Sequence, residues 1–484
     1  MDQDQFSLQE TKLVVEEKNA LLLQSAGPTP QIISIKQQLE QDGKNKLGSV
    51  AKEVLTVLLA DLSSFGNGLI LGYSAIALPQ LQHPDSWLPV DEDEASWIAS
   101  LSALSSALGC ILVGFLMDQF GRKRTLQMQC VPTFIGWILI ALSSNVLTLY
   151  AGRLLTGLGG GMVDCTIQVY ISEITTPILR NYLASTPSLV FSMGMLVVYV
   201  MGASHLQWNV VAATCASVPL LHFLVMHFLP ESPVWLRAKG KHTLADQAMR
   251  WLNKRSDDSN CFRAQDTTDT TSAWESLVSK HSRRPLLVML VFFFFQQFCG
   301  MNAVIFYAVQ IFQSADSGVL SSNQSAVVIG VARLIVICLS CVILSKIGRR
   351  PVSIISGVGM SVSMITLGTI MQLQETPSLA VSLTCMTGFI AFNTFGFLVI
   401  PWVMLGELLP EKCRGLASGL ITCIVYIFIF TVVKSYPYML ALLGESLVFL
   451  IFGTISIIGT TFVYFFLPET KGKTLLEIEH SFRK

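Results

Sequence analysis

Apolar positions in this chain do not alternate with polar ones; they run together. From residue 53 onward, stretches of roughly 20 apolar residues recur, separated by short polar or charged connections. About 20 apolar residues are what a helix needs to cross the hydrocarbon core of a bilayer. Twelve runs are readable, at 53–80, 95–117, 125–143, 147–170, 183–204, 208–229, 286–313, 324–344, 352–373, 378–409, 415–434 and 445–467. In lipid the backbone must satisfy its own hydrogen bonds, so each run predicts a helix, and barrel-type alternation is absent. The expectation is an all-α membrane protein with twelve transmembrane helices. Residues 1–52 are polar, contain Pro28 and Pro30, and read as a tail with no cleavable signal peptide.

Composition agrees. Of 484 residues, 52% are hydrophobic and 13% charged, against about 25% charged in soluble domains, and mean hydropathy is +0.57. A cytosolic enzyme, a disordered scaffold and a nucleic-acid binder are excluded. Lysine and arginine fall on alternate connections: Arg122, Lys123 and Arg124; Arg180; the 230–285 segment; Lys346, Arg349 and Arg350; Lys412 and Arg414. The first of the other connections is acidic, with Asp85, Asp91, Glu92, Asp93 and Glu94. The positive-inside rule then places both termini in the cytoplasm of a multi-pass protein in the cell membrane. Asn323-Gln-Ser325 on an outer connection is a glycosylation candidate. Eight of the eleven cysteines lie within apolar helices, and Cys338 and Cys341, although spaced as CxxC, read as packing residues. No metal cluster, cofactor site or nucleophile–base pair is visible, so neither a metal nor an enzyme is expected.

The chain repeats itself. GR pairs begin at Gly121 and Gly348 (348 − 121 = 227), a Glu precedes an Arg by seven residues at Glu173/Arg180 and Glu407/Arg414, and Pro230-Glu231-Ser232 is echoed by Pro468-Glu469-Thr470. Three landmarks in one order predict two parallel six-helix halves, with a substrate site at their interface. The boundaries expected are a tail at 1–52, halves at 53–229 and 286–467, a cytoplasmic link at 230–285 and a second tail at 468–484. The repeated charges sit at cytoplasmic helix ends: Asp118, Arg122 and Lys123; Glu173 with Arg180; Glu407 with Arg349, Arg350 and Arg414. Such charges either anchor the topology or lock one conformation and release another; repetition in both halves favours the gate.

GFLMDQFGRK (114–123), GRLLTGLGGG (152–161), YISEITTPILR (170–180), PESPVWL (230–236), QQFCGMN (296–302), IGRRP (347–351), PWVMLGE (401–407) and PETKGK (468–473) occur in that order. This set resembles the sugar-porter family of the major facilitator superfamily, over residues 53 to about 480. Pro187-Ser188 and Val433-Lys434-Ser435-Tyr436 are similar to the branch of insect facilitated trehalose and glucose transporters. The resemblance implies a central sugar cavity, with Gln296, Gln297 and Asn302 on the sugar hydroxyls, Ser188 and Trp402 beside them, and Tyr307 closing the outer side. The chemistry is consistent, because an amide both donates and accepts, as a hydroxyl does. No cofactor or nucleic acid is implied; the partners are a small sugar and the lipid bilayer, and the chain is expected to work as a monomer.

Several positions depart from the family. Ser345 stands where an acid is usual, Asn181 where a glycine follows Arg180, Val234 where an arginine is usual, and Val425 where a sugar-binding asparagine is common. Proton-coupled members carry an aspartate after the Gly-Tyr of the first helix; here the residue is Ser74. Facilitated diffusion is therefore the leading reading. Symport through Asp164, which lies in mid-helix, and a sugar receptor that does not transport stay open. Arg333, in the eighth run where an amide is usual, is either a structural charge or a cavity residue that alters substrate choice.

Overall fold

The computed structural model describes residues 48, 50–176, 179–180, 183–252, 280–313, 322–373, 379–408 and 414–469. Most of both tails, the 253–279 part of the link, Asn181, and the side chains of Ser345, Glu407 and Arg414 lie outside the described residues.

Every regular element among the described residues is helical. The first half contains α1 (Val50–Leu81), α2 (Glu92–Phe120), α3 (Arg122–Met128, then Cys130–Ala141), α4 (Val146–Ile174), α5 (Thr186–Ala203) and α6 (Trp208–Phe228). The second opens with α7, in three pieces (Lys280–Phe298, Met301–Phe306 and Ala308–Gln313), followed by α8 (Ser322–Lys346) and α9 (Arg349–Leu373). In α10, Leu379–Phe392 passes through a π-helical turn, Asn393–Phe397, into Ile400–Leu408. The run Arg414–Phe466 breaks at Gly444 (φ 76°, ψ 161°), giving α11 at 414–443 and α12 at 445–466. Among the described residues ten helices are long and apolar enough to cross a membrane. That count takes Arg414–Phe466 as one helix and omits the interrupted α3, so twelve crossing segments are described. The link contributes two short helices, Pro233–Ala238 and His242–Trp251.

Local sequence sets the helix ends. Asp91 and Glu94 form a reciprocal capping box on α2: Glu94 N donates to Asp91 Oδ1 at 2.7 Å and Asp91 N to Glu94 Oε2 at 3.1 Å. Asn145 caps α4 by accepting from Thr148 N at 2.8 Å. Without water, close helix contact depends on small residues. Thus Ser106 Oγ of α2 reaches Gly157 O of α4 at 2.8 Å, and Cys110 Sγ reaches Gly161 O at 3.4 Å. Odd-numbered and even-numbered helices run in opposite directions. The molecule has a basic end, carrying Arg122, Lys123, Arg349 and Arg350, and an acidic end, carrying Asp91 to Glu94.

Candidate functional site

The helix α7 breaks at Gly300, whose φ of +88° puts it in the left-handed region. A side chain there would also collide with the Phe452 ring of α12. The break turns Asn302 back onto the preceding turn. Its Nδ2 donates to Gln297 Oε1, and Gln297 Nε2 donates to Gln296 Oε1 at 2.7 Å. The three amides, all buried, therefore form one row. Gln297, in the middle of the row, positions Gln296. On α10, half-buried Trp402 meets Phe293 edge-to-face, with centroids 5.0 Å apart. The break in α10 lies at the π turn, ahead of Pro401, and it carries a polar group that the sequence did not single out. Asn393 is fully buried, with Nδ2 3.7 Å from Cys299 Sγ and Oδ1 without a hydrogen-bond partner among the described residues. A lone Asn in an apolar run was the available signal. Ser188, on the first turn of α5, is half-buried; its carbonyl accepts from Ser192 Oγ at 2.9 Å.

Asp164 joins three helices. It accepts from Asn67 Nδ2 of α1 at 2.7 Å and from the Tyr426 hydroxyl of α11. Ser74 faces Arg153, which is fully buried and donates to Ile98 O at 2.9 Å, Ile70 O at 3.1 Å, Ser102 Oγ at 3.2 Å and Ser74 Oγ. The guanidinium thus ties α1, α2 and α4 through neutral acceptors. Arg333 of α8 is also buried. Its Nε donates to Ser192 Oγ of α5 at 3.3 Å, its guanidinium lies 5.5 Å from the Phe191 ring, and Nη1 has no hydrogen-bond partner among the described residues.

The two halves meet at the acidic end. Tyr199 Oη of α5 donates to Ile305 O of α7 at 3.2 Å, and Gln310 of α7 bonds Gln82 beyond α1. Asn323, the sequon asparagine, is half-buried and helical and donates to Gly202 O at 3.3 Å, while Ser325 is buried. Tyr307 is buried against the Tyr436 ring, centroids 5.1 Å apart, and its hydroxyl reaches Val433 O at 3.4 Å.

At the basic end the contacts described stay within each half. Arg122 pairs with Glu173 at 2.9 Å, and Ser232 also bonds Glu173. The expected Glu173–Arg180 cluster is replaced by this one. The chain leaves α4 in extended form at Thr175, and Arg180 turns back to donate to Thr175 O at 3.4 Å. Lys123 Nζ reaches His227 O at 2.9 Å. Asp118 is exposed, and its carbonyl accepts from Trp235 Nε1 at 3.2 Å. The residues that sequence reasoning left as landmarks, Glu231 and Glu469, carry the repeat. Glu231 accepts from the backbone N–H groups of Arg122 and Lys123, each at 3.0 Å, and Glu469 from those of Arg349 at 3.0 Å and Arg350 at 3.1 Å. A carboxylate at a helix N-terminus satisfies orphan donors and opposes the dipole. The Arg350 guanidinium, meanwhile, sits on Tyr464, bonding its carbonyl and lying 5.4 Å from its ring centre.

Twelve helices in two repeated halves, meeting around a broken α7 and α10, define the major facilitator architecture. A proton:xylose symporter, XylE, solved with 6-bromo-6-deoxy-D-glucose, superposes with a TM-score of 0.73 at 22% identity, covering 89% of this chain and all of that one. Inward-open XylE from E. coli gives 0.70 at 22% identity over 89% of this chain and 99% of that one. Residues 56–482 match the family described as "Sugar (and other) transporter", and the chain belongs to that family. Among its relatives, the facilitated trehalose transporter Tret1 of Bombyx mori is 33% identical over 439 residues, 88% of this chain and 86% of the relative. Tret1 of Anopheles gambiae is 31% identical over 465 residues, 91% of this chain; the chain spans 58% of that relative's length.

Proposed function

We propose that this protein moves a small neutral sugar, a hexose or trehalose, across the cell membrane by alternating access and facilitated diffusion. The observation that carries the reading is the buried amide row Asn302–Gln297–Gln296 at the α7 break. Buried amides are costly unless bonded, and a row of them offers both donors and acceptors to sugar hydroxyls. Trp402 supplies a flat face beside it, and Ser188 lies on the opposing half. Passive transport is supported by Ser74, which gives Arg153 a neutral partner where a carboxylate would titrate. The relatives named as facilitated trehalose transporters point the same way. In this reading the basic end is cytoplasmic, with both termini, and the acidic end faces outward. The halves 53–229 and 286–467 rock against each other while 230–285 links them. Asp118, Arg122, Lys123, Glu173, Arg180, Arg349, Arg350, Glu407 and Arg414 form the inner gate, and Tyr307 part of the outer one.

Labelled glucose and trehalose should enter proteoliposomes saturably and stop at the outside concentration, with or without a pH gradient. Accumulation above that level, abolished by an uncoupler, would instead establish symport, for which Asp164 is the candidate because it bonds both halves.

Arg333 is assigned to substrate choice. A guanidinium offers donors alone, and Nη1 is the polar atom left over after Ser192 and Phe191 are served. Arg333→Gln should raise uptake of neutral sugars relative to wild type and remove any inhibition by a uronate. An unchanged substrate profile at equal surface expression would return Arg333 to a structural charge.

A further inference from the structure

On α11, residues 426, 430, 434 and 438 recur every four positions and so share one face of the helix. Each of them meets the opposite half. Tyr426 bonds Asp164 of α4; Phe430 lies against Trp97 of α2, with centroids 6.1 Å apart. Lys434 pairs with Asp93 at 2.7 Å, donates to Ser96 Oγ at 2.6 Å and stands 4.2 Å from the Trp97 ring centre; Tyr438 bonds Asp93 as well. The stripe covers roughly 18 Å of helix at about 1.5 Å per residue. Its chemistry grades from a hydroxyl–carboxylate bond at mid-depth, through a tilted pair of rings, to an ion pair at the acidic rim. The matching seam, α5 against α8, is closed at the same rim by a neutral contact, Asn323 to Gly202 O.

We propose that Asp93 and Lys434, braced by Trp97 and Tyr438, are the outer-gate residues of the transport cycle, and that parting them is the first event in opening the acidic end. The proposal rests on the alternating-access reading above. The placement favours a gate over a decorative surface pair. The Lys434 side chain is 17% accessible and that of Asp93 60%; the ammonium contacts Asp93, Ser96 and the Trp97 ring of the opposite half, and lies 5.4 Å from the Tyr438 ring centre on its own helix. Exposed pairs contribute about 0–1 kcal/mol, whereas a cation desolvated over an aromatic ring contributes more. A closed rim held in this way still yields to a hinge motion, because each contact is on one rigid face.

Two native thiols test it. Cys110 of α2, whose thiol donates to Gly161 O of α4, and Cys423 of α11, three residues before Tyr426, are buried below this rim and out of reach while the seam is closed. The full chain in oriented proteoliposomes is treated from the acidic side with a membrane-impermeant maleimide, and labelling of the two cysteine-bearing peptides is followed by mass spectrometry. Lys434→Ala and Asp93→Asn should each label at least tenfold faster than wild type. Lys434→Arg should label like wild type, and the exchange of charges, D93K with K434D, should restore most of the protection. Equal labelling of wild type, Lys434→Ala and Asp93→Asn would overturn the assignment. Labelling needs no sugar, so the gate is read even if the flux assay finds no transport.

Discussion

Gln297→Ala should weaken the apparent sugar affinity by about tenfold or more, with surface expression close to normal. Gln297 is the middle of the amide row: it accepts from Asn302 and donates to Gln296. Its loss removes any direct bond to substrate and leaves two neighbours without their partner. Each buried group so orphaned costs roughly 1–3 kcal/mol, and about 1.4 kcal/mol is a factor of ten in binding. Asn302→Ala removes one end of the row and should cost less. The measurement is the concentration dependence of initial uptake at matched expression. Unchanged kinetics in both variants would take the α7 break out of the binding site.

Arg122→Ala should reduce turnover far more than affinity. The Arg122–Glu173 pair is mostly buried, with side chains 15% and 14% accessible, and Ser232 bonds the same carboxylate. Removing one partner of a buried pair leaves an uncompensated charge and costs roughly 3–5 kcal/mol when burial is complete; partial exposure lowers that figure. The state this pair holds, with the acidic end closed, should lose population, and maximal flux should fall about tenfold or more while half-saturation moves little. Arg122→Lys keeps the charge but loses the fork geometry, and should retain part of the rate. A collapse of affinity with normal maximal flux would show that the pair serves binding and not the gate.

Much of the architecture was legible because lipid leaves little choice: long apolar runs must be helices, and charge bias orders their ends. The boundaries of α3 and α12 were harder. Gln129 interrupts a run read as continuous, and between α11 and α12 the helix persists to residue 443, well past the expected end at 434, before Gly444 breaks it. The amide row was visible as QQFCGMN, since three amides in an apolar stretch demand partners. What the chain order hid is pairing. Glu173 has Arg180 seven residues away yet bonds Arg122, 51 residues back. Lys434 was noticed as part of a motif, but its partner Asp93 lies 341 positions away. Glu231 and Glu469 were conspicuous as repeats; their role as helix caps follows only from where the end of each half returns.

That return has a mechanical consequence. The segment leaving α6 is fastened through Glu231 to the start of α3, and the segment leaving α12 through Glu469 to the start of α9. The last four helices of each half, α3–α6 and α9–α12, are thus a closed loop of chain stitched at one rim, and such a body turns as a lever. A lever multiplies small angles. A rotation of about 15°, a size known for rigid subunits, acting across about 30 Å of hydrocarbon, displaces the far rim by about 8 Å. An aperture of that width admits a sugar ring, while the contacts near the fulcrum barely lengthen.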